Sequence, residues 1–212
     1  MVLKDNLGFV TCRMSYKKHL QKDKRLAVIL KGETHVLALQ KNIPIRLMAS
    51  IISQQLSTKV AAIIFERFLS LYPAKKPTIQ KVLDTPEDTL RAIGISYAKI
   101  NYIYAVAKFC FEHTITDKKL QQLSNEKIIE LLTQIKGVGK WTVEMLLMFS
   151  LGREDVFAVD DLGIQQAMTK CYNLDPTNKK ELKANMLAIA EAWSPYKTYA
   201  CLHLWRWKDE KL

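Results

Sequence analysis

One stretch of the chain combines a glycine turn, a lysine and two adjacent aspartates. The turn contains Gly137 and Gly139 and lies between two segments with helical periodicity. Lys140 follows it directly, and Asp160 and Asp161 come shortly afterwards. Glycine permits a tight turn and the close approach of another backbone, and the start of a helix attracts anions. These residues suit a chemistry in which a nucleic-acid phosphate is held and a carboxylate is placed near it.

The amides at the turn are the predicted phosphate contacts. The first N–H groups of a helix lack intrahelical partners, and the helix dipole favours negative charge there. Nucleic-acid contacts are predicted for Gly137, Val138, Gly139, Lys140 and Thr142. The alternative is an ordinary bend between two helices. The carbonyls of Thr133, Ile135 and Gly137 could also face a monovalent cation, through which the turn would hold the phosphate.

The adjacent aspartates admit two interpretations. Aspartate is a favoured N-cap, and its charge suits the start of a helix. One aspartate meets that need, so Asp160 is predicted as the cap and Asp161 as the chemical group. A carboxylate at this place can orient an attacking water and stabilise positive charge that develops on a sugar.

Aromatic and amide side chains supply further candidates. Trp141 begins the helix after the turn, where its ring can stack on a nucleobase and favours a cationic one. Core packing is the alternative for tryptophans, and we prefer it for Trp193 together with Tyr199. His203 is expected to be structural. Gln55, in the segment SQQLS, either belongs to a solvated helix end or fills the gap left by a base withdrawn from a duplex.

Helical periodicity runs through almost the whole chain, so an all-α fold must position these groups. Segments 36–40 and 156–159 are expected to be extended loops rather than strands. Helices are predicted over 15–31, from Pro44, from a cap at Ser57 or Thr58 to before Pro73, from Thr85, over 96–112, from a cap at Ser124 to residue 135, and over 140–151, 161–172, 178–193 and 196–208.

Composition narrows the class of protein. The 212 residues are 49% apolar and 25% charged, as in globular domains, and the formal net charge is +11. That charge indicates a polyanionic partner, most simply nucleic acid, with a merely soluble basic protein as the alternative. No signal peptide and no membrane-spanning stretch is recognised, so no membrane association is expected. The cysteines are far apart, which favours reduced thiols over zinc or a cysteine-ligated cluster: Cys12, Cys110, Cys171 and Cys201.

Four blocks, in this order and spacing, resemble the helix–hairpin–helix DNA glycosylase superfamily, and most closely its 3-methyladenine DNA glycosylase II branch. They are SIISQQLS, IKGVGKWT, VFAVDDLGI and AWSPYKTYACLHLW. The resemblance implies two helical subdomains with a helix–hairpin–helix motif and a cleft between them. It implies that alkylated purines, of the 3-methyladenine and 7-methylguanine type, are flipped from double-stranded DNA and released by hydrolysis of the N-glycosidic bond in base excision repair.

The resemblance also implies roles for residues at matching positions. Asp161 is the expected catalytic residue. The expected substrate-binding residues are Trp141, Met145, Trp205 and Gln55, of which Gln55 stands at the position of a duplex-inserting wedge. The carbonyls of Thr133, Ile135 and Gly137 are the expected ligands of a structural Na⁺ or K⁺. No other cofactor is expected, and the two cysteines after Asp161 are too few for the iron–sulfur cluster of some relatives.

Two alternatives remain at this point. Bifunctional relatives carry a lysine at the position of Trp141, so the tryptophan argues against a bifunctional glycosylase/AP lyase. A non-catalytic helix–hairpin–helix DNA-binding module would need the glycine turn but not Asp161. We expect a monomer located in the cytoplasm or nucleoid, or in the nucleus of a eukaryote.

The domain organisation is predicted as a single glycosylase unit over residues 1–212. Segments 42–113 and 114–172, with the hairpin at 124–151, form the central part. Segment 1–41 is expected to pack with segment 173–212.

Overall fold

The computed structural model describes residues 16–30, 32 and 34–211, and every regular element in that range is helical. Cys12 and residues 15 and 31, at the ends of the predicted helix 15–31, lie outside the described residues. Within the described part, no helix is long and apolar enough to cross a bilayer. The helices are α1 (Lys24–Ile29), α2 (Ile43–Ser53), α3 (Thr58–Ser70), α4 (Ile79–Leu83), α5 (Glu87–Ala92), α6 (Tyr97–Glu112), α7 (Asp117–Gln122), α8 (Asn125–Leu132), α9 (Lys140–Phe149), α10 (Leu162–Tyr172), α11 (Lys179–Glu191) and α12 (Lys197–Lys211), with a 3-10 turn at Pro73–Lys75.

Several helix starts follow directly from the sequence. Ser57 caps α3 by accepting a hydrogen bond from the Val60 amide at 3.4 Å. Ser124 caps α8 in the same way through the Lys127 amide at 3.3 Å. Pro44 stands in the first turn of α2, where a missing N–H costs nothing. These starts confirm the predicted ones.

The predicted helix 15–31 is wrong in its middle. Two helical segments, 16–20 and α1, are separated by a turn that ends at Asp23. The Asp23 carboxylate accepts hydrogen bonds from the Arg25 and Leu26 amides at 3.0 and 3.1 Å, so it starts a new helix. The short helices α4 and α7 were not predicted, because they are too short to display a periodic face. Segments 36–40 and 156–159 contain no strand in the described structure, as predicted.

The chain divides into two compact units. The central unit is Leu39–Leu151, and the terminal unit is Gly152–Leu212 together with the described residues up to Ala38. Segment 152–172 was predicted in the central part, whereas the structure groups it with residues 173–211 and with the described residues up to Ala38. The physical reason is that α10 packs against α12 and α1.

Helices α2 and α6 form the middle of the central unit. Helix α2 packs against α3, α6 and α9, and α6 also packs against α4 and α5. The side chains at these contacts are removed from solvent: Ile51, Phe68, Leu90, Ile103 and Leu147 are all at 0% exposure. Burial of this apolar surface is the main favourable contribution to the packing of α6 in the central unit.

Trp193 anchors the core of the terminal unit at 0% exposure, which confirms the prediction of core packing. Its indole Nε1 donates to Asp23 Oδ2 at 3.0 Å, and the Tyr172 hydroxyl donates to the same oxygen at 2.7 Å. Although burial acts to raise the pKa of Asp23, these hydrogen bonds and those from the α1 amides hold that pKa below its usual value. Tyr199, at 5% exposure, is also core as predicted.

The three described cysteines are free thiols. Cys110 and Cys201 are buried, and Cys171 is half-buried. Burial raises the pKa of Cys110 to about 12 and that of Cys171 to about 11. These two thiols are therefore unreactive at neutral pH, in agreement with the prediction of reduced, mostly packed cysteines.

Candidate active site

The two glycines of the hairpin bend have different structural roles. Gly137 has φ +88°, and a Cβ added there would lie 2.3 Å from Cγ of Tyr102, so glycine is required by the fold. Around the Cβ position of Gly139, no heavy atom of the described structure lies within 4 Å. The bend is therefore supported from one side by the Tyr102 ring and open at Gly139.

The structure changes the predicted set of phosphate contacts. The Val138 amide donates to the Ile135 carbonyl at 3.0 Å, so it closes the bend and is not available as predicted. Helix α9 begins at Lys140 with Gly139 as its N-cap, and no side chain of the described residues caps it. The amides of Gly139 and Lys140 keep the geometry that suits an anion. Thr142 is buried at 4% exposure, so the structure does not present this residue for the predicted contact.

Lys140 forms an ion pair within its own helix. Its Nζ lies 3.6 Å from Oε1 of Glu144, one turn further along α9. The Lys140 side chain is about half exposed, whereas the Glu144 carboxylate is buried. The lysine charge predicted to meet a phosphate is therefore held near the helix start by a buried partner.

The predicted cation ligands are already engaged in part. Ile135 O accepts the Val138 amide, and Gly137 O accepts the Gln54 side-chain amide at 3.4 Å. A carbonyl oxygen has two lone pairs, so each can accept a second partner. Neutral oxygens are the donors that hard cations prefer, and the set is compatible with a weakly held Na⁺ or K⁺.

Gln55 lies in the loop 54–57 between α2 and α3, which we term the wedge loop. It is exposed and has φ +58°, a conformation that few residues other than glycine adopt. The Gln54–Gly137 hydrogen bond joins this loop to the hairpin bend within the central unit. Two elements predicted separately as DNA contacts are thus direct neighbours.

Helix α9 presents a ridge of large apolar side chains, formed by Trp141, Met145 and Phe149. They follow one another at four-residue intervals and so lie on one face of the helix. Trp141 is 42% exposed, Phe149 is 46% exposed and Met145 is half-buried. Phe149 borders a cavity of about 610 Å³, which is also lined by Gln40, Arg46, Leu56, Phe65 and Ser150. Its volume is within the range of small-molecule sites.

Asp161, and not Asp160, is the N-cap of α10. The helix starts at Leu162, and Asp161 Oδ1 accepts the Ile164 amide at 2.9 Å. The predicted assignment of Asp160 to this cap is therefore wrong by one residue. Asp160 instead forms an ion pair with Lys183 at the surface of the terminal unit.

Trp205 lies directly against Asp161. Its indole Nε1 donates to Asp161 Oδ1 at 2.8 Å, so one carboxylate oxygen accepts both this bond and the helix cap. Gly163 makes room for the ring, because a Cβ at that position would lie 3.1 Å from both Asp161 Oδ1 and Trp205 Cδ1. Asp161 and Trp205 are both half-buried. The predicted carboxylate and one predicted aromatic are therefore brought together.

The loop before Asp161 is fastened to α12. Buried Thr198 accepts the Val156 amide at 3.1 Å and donates to the Arg153 carbonyl at 2.7 Å. The Tyr199 hydroxyl donates to Glu154 Oε1 at 2.7 Å. Because Trp205 is on the same helix, α12 fixes both the loop that carries Asp161 and the indole that contacts it.

His203 is fully buried, as expected of a structural residue. Its Nδ1 lies 3.1 Å from an Arg206 guanidinium nitrogen, and its ring packs edge-on against His35. Burial lowers the pKa of His203 to about 3, with further lowering from His35 and the cations Arg206 and Lys17. The imidazole is therefore neutral at ordinary pH.

Comparison with known proteins identifies the family. Residues 48–192 match the family model described as HhH-GPD superfamily base excision DNA repair protein. The chain belongs to the HhH-GPD superfamily. It is 40% identical over 162 residues to DNA-3-methyladenine glycosylase 1 of Schizosaccharomyces pombe, covering 76% of this chain and 70% of that protein. It is 32% identical over 202 residues to DNA-3-methyladenine glycosylase of Saccharomyces cerevisiae, covering 88% and 68% of the two chains.

Solved structures of HhH-GPD proteins share the fold. The 3-methyladenine DNA glycosylase of S. pombe, in complex with abasic DNA, superposes with a TM-score of 0.79 and 34% identity. The superposition covers 92% of this chain and 97% of that one. A DNA-3-methyladenine glycosidase of Bacillus halodurans gives the same TM-score and identity, over 92% and 90% of the two chains. The all-α fold inferred from the sequence is confirmed.

Several residues of this site were not predicted from the sequence. Phe149 could have been found, since it continues the four-residue spacing of Trp141 and Met145. Gly163 also carries a signal, because glycine in the first turn of a helix is unusual without a packing reason. Lys99 and Tyr102 carry no such signal. The Lys99 Nζ contacts the Ile52 and Gln54 carbonyls and the Tyr102 ring contacts Gly137, and these partners are remote in sequence.

Proposed function

We propose that this protein is a monofunctional DNA glycosylase that releases alkylated purines, of the 3-methyladenine and 7-methylguanine type, from double-stranded DNA in base excision repair. The observation that carries the proposal is the Trp205–Asp161 hydrogen bond at the start of α10. This bond positions a carboxylate of the kind that such a hydrolysis requires, in a chain that belongs to a DNA-repair superfamily. The similarity to two DNA-3-methyladenine glycosylases supports the reaction and the substrate class.

The chemistry requires little more than one carboxylate. Alkylation at N3 or N7 makes the purine cationic, so the bond between C1′ and the base nitrogen is already weak. When it breaks, the electron pair leaves with the purine, which departs as a neutral base, and the sugar becomes oxocarbenium-like. Asp161 stabilises this positive charge and orients the water whose oxygen then bonds to C1′, while its proton passes to the carboxylate or to solvent.

Aromatic side chains would favour the alkylated base. Trp141, Met145 and Trp205 are assigned to substrate binding, and electron-rich rings favour a cationic purine over a neutral one. A cation–π contact of this kind is worth about 0.5–2 kcal/mol, so selection would be modest. Gln55 is assigned to the duplex, where its amide would hydrogen-bond to the base left behind.

The hairpin would hold the DNA backbone. The start of α9 offers the amides of Gly139 and Lys140, and the open space at Gly139 allows a phosphate to approach closely. A Na⁺ or K⁺ on the carbonyls of Thr133, Ile135 and Gly137 would be shared with that phosphate. The net charge of +11 favours association with DNA as a whole. We propose that the protein acts as a monomer and requires no other cofactor. Its proposed location is the cytoplasm or nucleoid, or the nucleus of a eukaryote.

One assay tests the proposal against its alternatives. The purified protein is incubated with methylated duplex DNA and, as a control, with the same DNA left unmethylated. Free 3-methyladenine and 7-methylguanine are measured, and strand breaks are counted before and after heating. The expected result is free base from methylated DNA only, with strand breaks that appear only after heating.

Other results would assign the protein to a different class. Binding without release of base would make it a non-catalytic DNA-binding module. Strand breaks before heating would make it a bifunctional glycosylase/AP lyase. Either result would overturn the proposal of a monofunctional enzyme.

A further inference from the structure

We propose that Lys99 is a positioning residue for Gln55: its ammonium group fixes the backbone of the wedge loop in the form that presents Gln55 to the duplex. This inference rests on the proposed function, in which Gln55 occupies the space of a withdrawn base. Lys99 itself would not touch the reacting nucleotide. It would act through the loop that precedes α3.

Lys99 donates a pair of hydrogen bonds to the end of α2 and the wedge loop. Its Nζ lies 2.8 Å from the Ile52 carbonyl and 2.7 Å from the Gln54 carbonyl. Ile52 is in the last turn of α2, where carbonyls lack helical partners and a cation is favoured. Gln54 directly precedes Gln55, so the ammonium group joins the end of the helix to the base of the wedge.

The surroundings of the Lys99 ammonium group also support the proposal. Lys99 is half-buried, and among the ion pairs of the described residues none includes it. Burial lowers the pKa of Lys99. A partly desolvated ammonium group is costly unless its hydrogen bonds are made, and both of these bonds go to backbone carbonyls. Through these bonds, Lys99 would stabilise the conformation of the loop.

The backbone conformation of Gln55 supports the proposal as well. Its φ of +58° lies in the left-handed region, although the residue is not glycine. Such a backbone is strained and persists only where neighbouring groups hold it. The carbonyl immediately before Gln55 is the one that Lys99 binds. The ammonium group is therefore placed to hold this conformation.

Helix α6 also supports the hairpin. Tyr102 is three residues after Lys99, on the same face of the helix, and its ring packs against Gly137. The Gln54 side chain donates to the Gly137 carbonyl and connects the two supported elements directly. Lys99 thus sets the wedge loop relative to the bend that would hold the phosphate.

The test compares variants of α6. Lys99→Met removes the ammonium group but keeps a long unbranched side chain, and Lys99→Arg keeps the charge and the donors. Lys108→Met is the matched control, because Lys108 is on the same helix and forms a solvent-exposed ion pair with Glu112 at 3.9 Å. Each variant is titrated with a duplex that contains a tetrahydrofuran abasic analogue opposite a normal base. A second duplex lacks the opposite base.

Binding to these duplexes requires no release of base, so it reports on the wedge directly. Lys99→Met is expected to weaken binding to the first duplex by about tenfold, as the loss of charged hydrogen bonds predicts. It should leave the second duplex nearly unaffected, since Gln55 has no base to contact there. Lys99→Arg and Lys108→Met should resemble the wild-type protein. In a Gln55→Ala background, Lys99→Met should add little.

Equal weakening on both duplexes, or an undiminished effect in the Gln55→Ala background, would overturn the proposal. Thermal unfolding identifies a variant that has lost its fold, and Lys99→Gln, which is neutral but polar, then replaces Lys99→Met with the same expected pattern. Release of methylated bases by the wild-type protein is measured in parallel. Its absence would count against the glycosylase, whereas the affinity pattern alone decides the role of Lys99.

Discussion

The indole of Trp205 and the backbone amide of Ile164 donate to the same carboxylate oxygen, Oδ1 of Asp161, over 2.8 and 2.9 Å. Two donors from different helices therefore fix the position of this oxygen. A single aspartate therefore combines a cap for α10 with the proposed catalytic role. Asparagine can keep the cap but not the charge, which makes the two roles separable by mutation.

Asp161→Asn is expected to bind DNA normally and to lose about hundredfold or more of the rate of base release, since only the charge and basicity are removed. Its stability should match that of the wild-type protein, because asparagine is an equally good N-cap. Asp161→Ala should lose the same activity and also about 1 kcal/mol of stability. Single-turnover release of 3-methyladenine and thermal unfolding measure both effects. Unchanged release by Asp161→Asn would remove Asp161 from the catalytic role.

Trp205→Phe keeps an aromatic ring but removes the donor to Asp161. Base release should fall by about tenfold to a hundredfold, as expected for one hydrogen bond to a charged group. Trp207→Phe is the control, because that ring lies near Lys170 at 5.8 Å rather than against Asp161. Single-turnover rates with saturating enzyme give the comparison, and equal rates for Trp205→Phe and wild type would contradict it.

The two hairpin glycines should respond differently to alanine. Gly137→Ala should lose about 1–2 kcal/mol or more of stability, because φ is positive and the methyl group meets the Tyr102 ring. Gly139→Ala should change stability by no more than about 0.5 kcal/mol but weaken DNA binding by about tenfold if a phosphate contacts that amide. Chemical denaturation and binding titrations distinguish them. Wild-type affinity of Gly139→Ala would place the phosphate elsewhere.

Trp141→Lys is not expected to create strand cleavage. Trp141 is 42% exposed, so a lysine there would be hydrated and mostly protonated, whereas a Schiff base needs a neutral amine. Base release should fall, since the ring is lost. Borohydride trapping on DNA with an abasic site is the measurement, and a covalent adduct would show the expectation to be wrong.

Stability should decline in mild acid. The pKa of His203 is lowered to about 3, so between pH 6.5 and 3 the unfolded chain binds a proton that the folded protein does not. The contribution is fully present above pH 6.5 and should fall by about 2 kcal/mol at pH 5. Denaturant titrations from pH 7 to 5 test this. His203→Leu should flatten the pH dependence, leaving the smaller share of His35, whose pKa is also lowered by burial.

The features that were predicted correctly depend on residues that are close together in the sequence. The helix starts at Ser57 and Ser124 and the bend at Gly137 depend on neighbouring residues, so short motifs are sufficient to find them. The error at Asp160 and Asp161 has the same origin, since a motif does not fix the first residue of a helix. The commitment of the Val138 amide to Ile135 is a detail of turn geometry that residue types alone do not determine.

The supports of the site could not be predicted because they are remote in sequence. Lys99 meets carbonyls 47 and 45 positions earlier, and Thr198 meets Val156 across 42 positions. Neither lysine on a helix nor threonine near a helix start is unusual. Their roles become apparent only when packing brings α6 under the wedge loop and α12 against the loop before Asp161.

The division of the chain also bears on how the protein is made. The central unit is one continuous segment, whereas the terminal unit needs residues from both sides of it. During synthesis, the residues of the hairpin and the wedge loop are joined to the chain before Asp161. The described residues up to Ala38 carry apolar side chains such as Leu26 and Ile29, which cannot be buried in the terminal unit until α10 and α12 have been synthesised. Until then these side chains are accessible to chaperones.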